Sequence, residues 1–570
     1  MSERAPSVQK VAARSHEGAR SFSLVLTSWG PPMGVVMALA LSLLMRFPAL
    51  TWPLNQQPYA PCCGHPDELK HYVISRSFAG RPHRVGYPPG LGYMTHLAQK
   101  AGLGRLATSL APPSASGTEL KKIRLVYTAR LLSLLLSCAG VWLLYALSRK
   151  AGLSGWVAAC AAGFLICSPL YLVYSIYGLA DVPNAVLILA YVYAFVRWSE
   201  RQGTGFLVAF GLLVGGALAV KLGVIIALPL ALHVLVTSRR RGVDAALLGL
   251  GTMAGAYVMS GGVPTLAELG AITARVDTVT TGVETSLPWN VVHHLGSLIT
   301  GMGGLFVLVL ITSLPGWGSW VRDLRRADWR TTFASPWSAL AAGCVLNFAV
   351  ICWSSSAHTR HMLVLYPFVV LFAMAGISRL RWARRLLDAP PERSVARVNL
   401  AGAAAMALIA AYGSVTARPV LGSFSDDPNV RAARWLREQT DADDRVQFAR
   451  YTERARLLFD MTSRRPGDGR TRELLVIHSY WSGRFTGTWW LKPAPKTLKE
   501  VKQPGTEDAG VLDVWQALME GRLTNLKIVA SFGDDWRTPE RALLHAVGRG
   551  YDQFVTAGEV SILEREPDSR

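Results

Sequence analysis

The chain has 570 residues, 51% of them apolar and 17% charged, with positive mean hydropathy, which excludes an ordinary soluble domain. A net charge of +21 would suit nucleic acid, but the Lys and Arg residues collect in short clusters between apolar runs rather than on one face or tail. The charge therefore reads as membrane topology, and no nucleic-acid partner is expected.

A membrane-spanning helix requires about 20 mostly apolar residues to cross a hydrocarbon core of about 30 Å. Such runs centre on 31–50, 128–148, 153–175, 181–198, 204–220, 222–238, 243–260, 294–316, 336–353, 361–378 and 398–416, about eleven in all. The basic segment 1–27 precedes the first without a small-residue cleavage site, so that helix is expected to stay. Gly215-Gly216 and the Ala/Gly-rich stretch Ala401 to Ala411 suit close helix packing.

Cytoplasmic loops are the Lys/Arg-rich ones. Arg149-Lys150, Arg197 with Arg201, Arg239 to Arg241, Arg322 to Arg330 and Arg379 to Arg385 fall in every second loop, which places the N-terminus in the cytoplasm. The intervening segments are then external: 51–127, the turn from Tyr177 to Asp181, the turn at Lys221, 261–293, Ser354 to Arg360, and the tail after about Arg418.

The expected division is a cytoplasmic segment 1–27, a transmembrane domain 28–417 and an extracytoplasmic domain 418–570. In the tail, Asp427-Pro428 is a helix-opening pair, and Val446 to Ala449, Leu474 to Ile477, Leu526 to Phe532 and Val560 to Leu563 read as strands of a small α/β fold. Segments 462–472 and 493–510 read as loops. Five cysteines (Cys138, Cys160, Cys167, Cys344, Cys352) lie in apolar runs as small hydrophobes, whereas the adjacent Cys62 and Cys63 are loop residues poorly spaced for a disulfide or a zinc site.

The first external loop holds His65-Pro66-Asp67-Glu68, followed by Tyr87-Pro88-Pro89-Gly90. Asp67 and Glu68 are read either as caps of a helix containing Leu69, Tyr72 and Val73 or as site carboxylates, and one can cap while the other projects. Lys221, between two short apolar segments, is either a functional cation or a side chain snorkelling to the surface, because a charge in the bilayer centre costs about 2.5–3.5 kcal/mol. Asp181, before Val182-Pro183, is either a helix cap or a site acid. His293, His294, His358 and His361 show no metal spacing; His65, Asp67 and Asp181 could share a divalent ion, so a metal stays open.

His-Pro-Asp-Glu in the first external loop of a multi-span chain resembles the GT-C superfamily of membrane glycosyltransferases, and the wider pattern resembles its protein O-mannosyltransferase and aminoarabinose-transferase branch. Tyr87-Pro88-Pro89, the stretch from Ser168-Pro169 through Ser175 to Asp181-Val182-Pro183, the Gly-rich run Gly211 to Lys221, and Arg360-His361 with Tyr366-Pro367 carry that resemblance, His361 replacing the branch's Tyr. The resemblance implies a polytopic α-helical GT-C-like fold and transfer of a sugar, hexosyl or pentosyl, from a polyprenyl-phosphate donor such as dolichyl-phosphate-mannose to a lipid, glycan or protein acceptor. It implies inversion of configuration and a place in the cell (inner) membrane.

On this reading Asp67 is the general base and Glu68 its substitute or orienting partner, Asp181 positions the acceptor or a metal, and Lys221 and Arg360 hold the donor phosphate. His65, Tyr87 and His361 are further substrate-binding candidates, with Tyr480, Trp481 and Arg484 as weaker ones on the tail. The absence of a Rossmann-type glycine loop after a strand agrees with a lipid-linked rather than a nucleotide-linked donor. The rival is a transporter or flippase of lipid-linked glycans, since intramembrane charges and broken helices also mark transport pathways; that reading leaves the external acidic loop without a role.

Overall fold

The computed structural model describes residues 31–51, 68, 74–75, 88–113, 117–221, 224–262, 287–326, 335–353, 359–380, 391–425, 428–448, 453–460, 471–478, 526–532 and 560–565. The first half contains α1 (Pro31–Leu50), α2 (Gly90–Ala98), α3 (Gly104–Ser109), α4 (Gly117–Lys150), α5 (Gly155–Cys167), α6 (Pro169–Ile176), α7 (Asp181–Arg201) and α8 (Thr204–Val220). There follow α9 (Ala227–Thr237), α10 (Arg241–Met259), α11 (Leu287–Met302), α12 (Gly304–Arg326), α13 (Pro336–Trp353), a 3₁₀ turn (Thr359–Val364), α14 (Tyr366–Ser378) and α15 (Pro391–Ser425).

Among the described residues six helices, α1, α4, α7, α10, α13 and α15, are long and apolar enough to cross a membrane, and the bent pair α5–α6 would make a seventh. The expectation of about eleven spans counts as crossings the shorter apolar helices α8, α9, α12 and α14 as well. Large apolar side chains such as Leu228, Met253, Leu308, Val345 and Leu400 are exposed, an outside that suits lipid.

Two expected spans are divided. The run 294–316 is apolar throughout, yet α11 ends and α12 begins around Gly303, whose φ of +86° is a conformation that a residue with a Cβ rarely adopts. The run 153–175 bends by 60° between α5 and α6. Pro169 opens α6, and the Ser168 side chain accepts from the Tyr171 N–H while donating to the Gly301 carbonyl at 2.5 Å. The fully buried Arg46 of α1 donates to the Ile166 carbonyl in the last turn of α5 at 3.1 Å and to Ser137 Oγ at 3.1 Å. A cation is favoured there, at a helix C-terminus with free carbonyls.

The helices α8 and α10 approach each other closely through glycines. A Cβ on Gly211 would lie 2.8 Å from the Leu248 carbonyl oxygen, Gly251 faces Gly211, and Gly215 and Gly255 sit against the backbone of Thr252 and Leu212. Two small-xxx-small stripes thus interlock. A side chain at these positions would force the helices apart, which by the usual overpacking penalty costs about 1–3 kcal/mol. The end of α8, where Lys221 lies, is fixed by this contact.

Lys150 at the end of α4 pairs with Glu200 near the end of α7 at 2.9 Å, beside Arg197 and Arg201, while Asp181 begins α7. Over the 21 residues of α7 the rise is about 30 Å, one hydrocarbon thickness.

The tail contains α16 (Pro428–Gln439), β1 (Arg445–Phe448), α17 (Glu453–Asp460), β2 (Glu473–His478), β3 (Leu526–Phe532) and β4 (Val560–Arg565). The sheet order is β1-β2-β4-β3, with β1 and β2 parallel and the other pairs antiparallel. Ala432, Leu436, Ala455, Phe459, Leu474, Val476, Val560 and Ile562 form its core, the helices covering one face. The four strands fall where the apolar, β-branched runs place them.

Candidate functional site

Glu68, Asp181, Lys221, Arg360 and His361 are described; His65, Asp67 and Tyr87, like Tyr480, Trp481 and Arg484, lie outside the described residues. The geometry begins with Glu68, whose carboxylate is buried and takes two parallel hydrogen bonds from Arg130 of α4, Nε to Oε1 and Nη2 to Oε2, both at 2.8 Å. Its Oε1 also accepts from the backbone N–H of Gly178 at 2.8 Å, and Arg130 Nη1 donates to the Leu50 carbonyl at 2.8 Å. One buried carboxylate therefore ties the acidic loop to the end of α1, to α4 and to the connection that leads into α7.

Gly178 is required for this approach, since a Cβ there would lie 2.7 Å from Ala129 Cβ, beside Arg130. The loop's entry is held as well, by a hydrogen bond from the Tyr127 hydroxyl to the Thr51 carbonyl at 3.0 Å.

Three residues after Gly178, Asp181 opens α7. Its carboxylate does not cap the helix: Ala180 is the N-cap, no side chain caps it, and Asp181 Oδ1 meets Lys221 Nζ at 2.5 Å. Lys221 stands where α8 ends, in extended backbone with φ −160° and ψ 139°. Its side chain is 31% exposed against 6% for Asp181, so the ammonium is the outer member of the pair.

Gly90, which closes the Tyr-Pro-Pro-Gly motif, packs onto the end of α8. Gly90 lies so close to α8 that a Cβ would come 2.6 Å from the Ala219 carbonyl oxygen and 2.8 Å from the Val220 nitrogen. Leu91, Ala180 and Val220 form a small apolar cluster beneath, joined by Met94, Leu132 and Leu187. Gly92 in turn receives Ile74 and Ser75, the chain that follows the acidic motif. Arg360 and His361, each half-buried, belong to the 3₁₀ turn that packs against α7, ahead of the Tyr366-Pro367 start of α14.

Four separate stretches of sequence, represented by Glu68, Gly90, Gly178 to Asp181 and Lys221, are thus linked through contacts with α4, the start of α7 and the end of α8. Arg130 and Gly178 were not among the sequence candidates. The signal for Arg130 was an arginine near the start of an apolar run, a position that demands a partner; for Gly178 only the fold supplies one. As to a metal, no group of three His, Cys, Asp or Glu side chains is gathered among the described residues, and Asp181 faces an ammonium.

Residues 124–261 match the dolichyl-phosphate-mannose-protein mannosyltransferase family. The resemblance to GT-C membrane glycosyltransferases is borne out over this stretch, which contains Arg130, Gly178, Asp181 and Lys221. No curated protein matches the chain. Among solved structures it is similar to ArnT from Cupriavidus metallidurans in the apo state (14% identity, 93% of this chain and 97% of that one, TM-score 0.46). It is similar to the same protein bound to undecaprenyl phosphate (15% identity, 94% and 98%, TM-score 0.47). It is also similar to the oligosaccharyltransferase AglB from Archaeoglobus fulgidus in complex with an inhibitory peptide and a dolichol-phosphate (12% identity, 95% and 89%, TM-score 0.46). Likenesses this distant assign no residue roles.

Proposed function

We propose that this protein transfers a sugar from a polyprenyl-phosphate donor to a hydroxyl or amine of a lipid, glycan or protein acceptor on the external face of the cell membrane, with inversion. The observation that supports the reading is the Glu68–Arg130–Gly178 tie, which anchors Glu68 to the connection leading to Asp181 and its partner Lys221. Asp67 adjoins Glu68 in sequence and is the candidate base, while Glu68, engaged on both oxygens, serves to orient it.

In the reaction the acceptor oxygen or nitrogen attacks the anomeric carbon as its proton passes to the Asp67 carboxylate. The bond from that carbon to the phosphate oxygen breaks, and the electron pair leaves with the polyprenyl phosphate. The departing group gains negative charge, so preorganised cations belong there, and Lys221 and Arg360 are the cations for it. Asp181 holds Lys221 until an anionic headgroup competes for it. The tail is assigned to the external side as an acceptor-recognition module, on the alternation of basic loops.

The test is Asp67→Asn, which keeps side-chain shape and removes the base. Loss of a positioned general base lowers rate about 10²–10⁴-fold, so turnover of the lipid donor by purified protein should fall at least about 100-fold with donor binding and melting temperature unchanged. Normal turnover by both Asp67→Asn and Glu68→Gln would refute catalysis by this loop, and efficient transfer from a nucleotide sugar without any polyprenyl phosphate would refute the donor.

A further inference from the structure

One turn beyond Asp181 on α7 stands Asn184, fully buried, and neither Oδ1 nor Nδ2 of its amide has a hydrogen-bond partner among the described residues. Buried amides are nearly always paired, because a donor and an acceptor withdrawn from water and left unmet both destabilise the fold. The surroundings do not explain it. Positions i and i+3 share a helix face, so Asn184 lies directly inward of Asp181. The 3₁₀ turn carrying Arg360 packs against the same helix, and Asn184 falls on the side of α7 that also carries Tyr191, whose ring meets Phe210 of α8 at 5.9 Å.

We propose that Asn184 is a substrate-binding residue whose carboxamide pairs with a hydroxyl of the sugar being transferred. This rests on the glycosyltransferase reading of the same site. A carboxamide offers one donor group and one acceptor group, the complement of a sugar hydroxyl, which is both; a phosphate offers only acceptors and is matched by Lys221 and Arg360 instead. Lys221 is the part-exposed outer member of the Asp181 pair, so a donor whose phosphate takes its ammonium is brought within one helical turn of the amide. A site that leaves a polar group unmet without ligand gains most from the ligand that satisfies it, which is how a hydroxyl-bearing group is told from one lacking it.

The proposal separates stability from function in Asn184→Leu, an apolar replacement of similar size. Removing an unmet amide should hold or raise the melting temperature of the full chain in detergent. Glycosylated product, measured by mass spectrometry in host cells lacking the native protein and expressing the variant at equal level, should fall about 10- to 100-fold, the weight of a hydrogen bond made to substrate. Bare polyprenyl phosphate, used as the binding probe, should raise the melting temperature of variant and wild type equally, because the phosphate cations are untouched. Equal product from variant and wild type overturns the proposal and leaves the glycosyltransferase reading standing, whereas no product difference between wild type and the null cells overturns that reading itself. If Asn184→Leu and Asn184→Ala both fail to accumulate as folded protein, the amide is part of the scaffold and the proposal is wrong.

Discussion

Glu68–Arg130 and Asp181–Lys221 are both carboxylate–cation pairs, joined through the connection that runs from Gly178 to Asp181, yet they are built for opposite ends. In the first, both side chains are 1% exposed, the guanidinium fork matches both oxygens, and a backbone N–H and a carbonyl complete the set. In the second, a single ammonium that is 31% exposed touches one oxygen. Arginine's rigid fork suits a contact that is never broken, and lysine's flexible stem suits one that is exchanged for a ligand. The difference distinguishes a scaffold pair, which holds Glu68 against α4 and Gly178, from a pair that, on the proposed function, an anionic headgroup takes apart.

The largest effect is expected at the first pair. Arg130→Met leaves the Glu68 carboxylate buried without its cation, and breaking a buried pair from one side costs about 3–5 kcal/mol. The variant should lose yield and melting temperature before activity can be compared. Adding Glu68→Gln should restore much of that stability, since an uncharged residue no longer requires the guanidinium, while activity stays low because the acidic loop has lost its tie. An Arg130→Met protein as stable as wild type would show the pair to be dispensable and would remove the contrast.

At the second pair the expected effect falls on chemistry. Lys221→Met should change stability by no more than about 1 kcal/mol, the usual worth of a part-exposed ion pair. Donor turnover should drop about 10- to 100-fold, chiefly through weaker hold on the phosphate, by the weight of a charge-assisted hydrogen bond, and Lys221→Arg should recover part of it. Thermal unfolding and transfer measured on the same preparations separate these outcomes. A Lys221→Met protein as destabilised as Arg130→Met would place both pairs in the scaffold.

The sequence made the helices and strands legible because hydrophobic runs and β-branched clusters are local signals: the runs 181–198 and 336–353 coincide with α7 and α13, and the four tail strands lie where expected. It also picked out Asp181 and Lys221 separately, as an acid at a helix start and a cation between apolar segments. What it did not supply was their partnership, since Asp181 read equally well as a cap. Pairings such as Glu68 with Arg130, 62 residues apart, depend on tertiary packing that no local spacing encodes. Arg46 and Arg130 carried a signal all the same, for a charge inside an apolar run announces a partner even when it cannot name it. The break at Gly303 had none, because glycine is an ordinary residue inside membrane-spanning helices.

A third pair, Asp444 with Arg472 in the tail, stands between these extremes and gives the smallest expected effect. Its carboxylate side chain is 1% exposed but its guanidinium is 36% exposed, the two meeting at 2.8 Å. The backbone N–H groups of Asp441 and Arg472 donate to the carboxylate at 2.9 Å each, joining the turn before β1 to the start of β2. Burial pushes the Asp444 carboxyl up, but the Arg472 hydrogen bond and the two N–H groups outweigh it and hold it below the usual carboxylate range. A carboxyl depressed in the folded state binds its proton less readily there than when unfolded, so its contribution is fully present above about pH 4 and is lost as pH falls through the folded value. Hydrogen exchange at the β1 and β2 amides of the full chain should therefore be slow and level from pH 7 to about pH 5 after correction for intrinsic rates, and accelerate below about pH 4. Asp444→Asn should quicken exchange at pH 7 by no more than about tenfold, since the amide oxygen still accepts from one N–H and the exposed arginine is screened by solvent. As pH falls through the folded value the variant and wild type should converge, because the carboxyl of the wild type then takes up its proton as well. A difference that persists undiminished down to acid unfolding would show that the turn depends on the shape of the side chain and not on its charge.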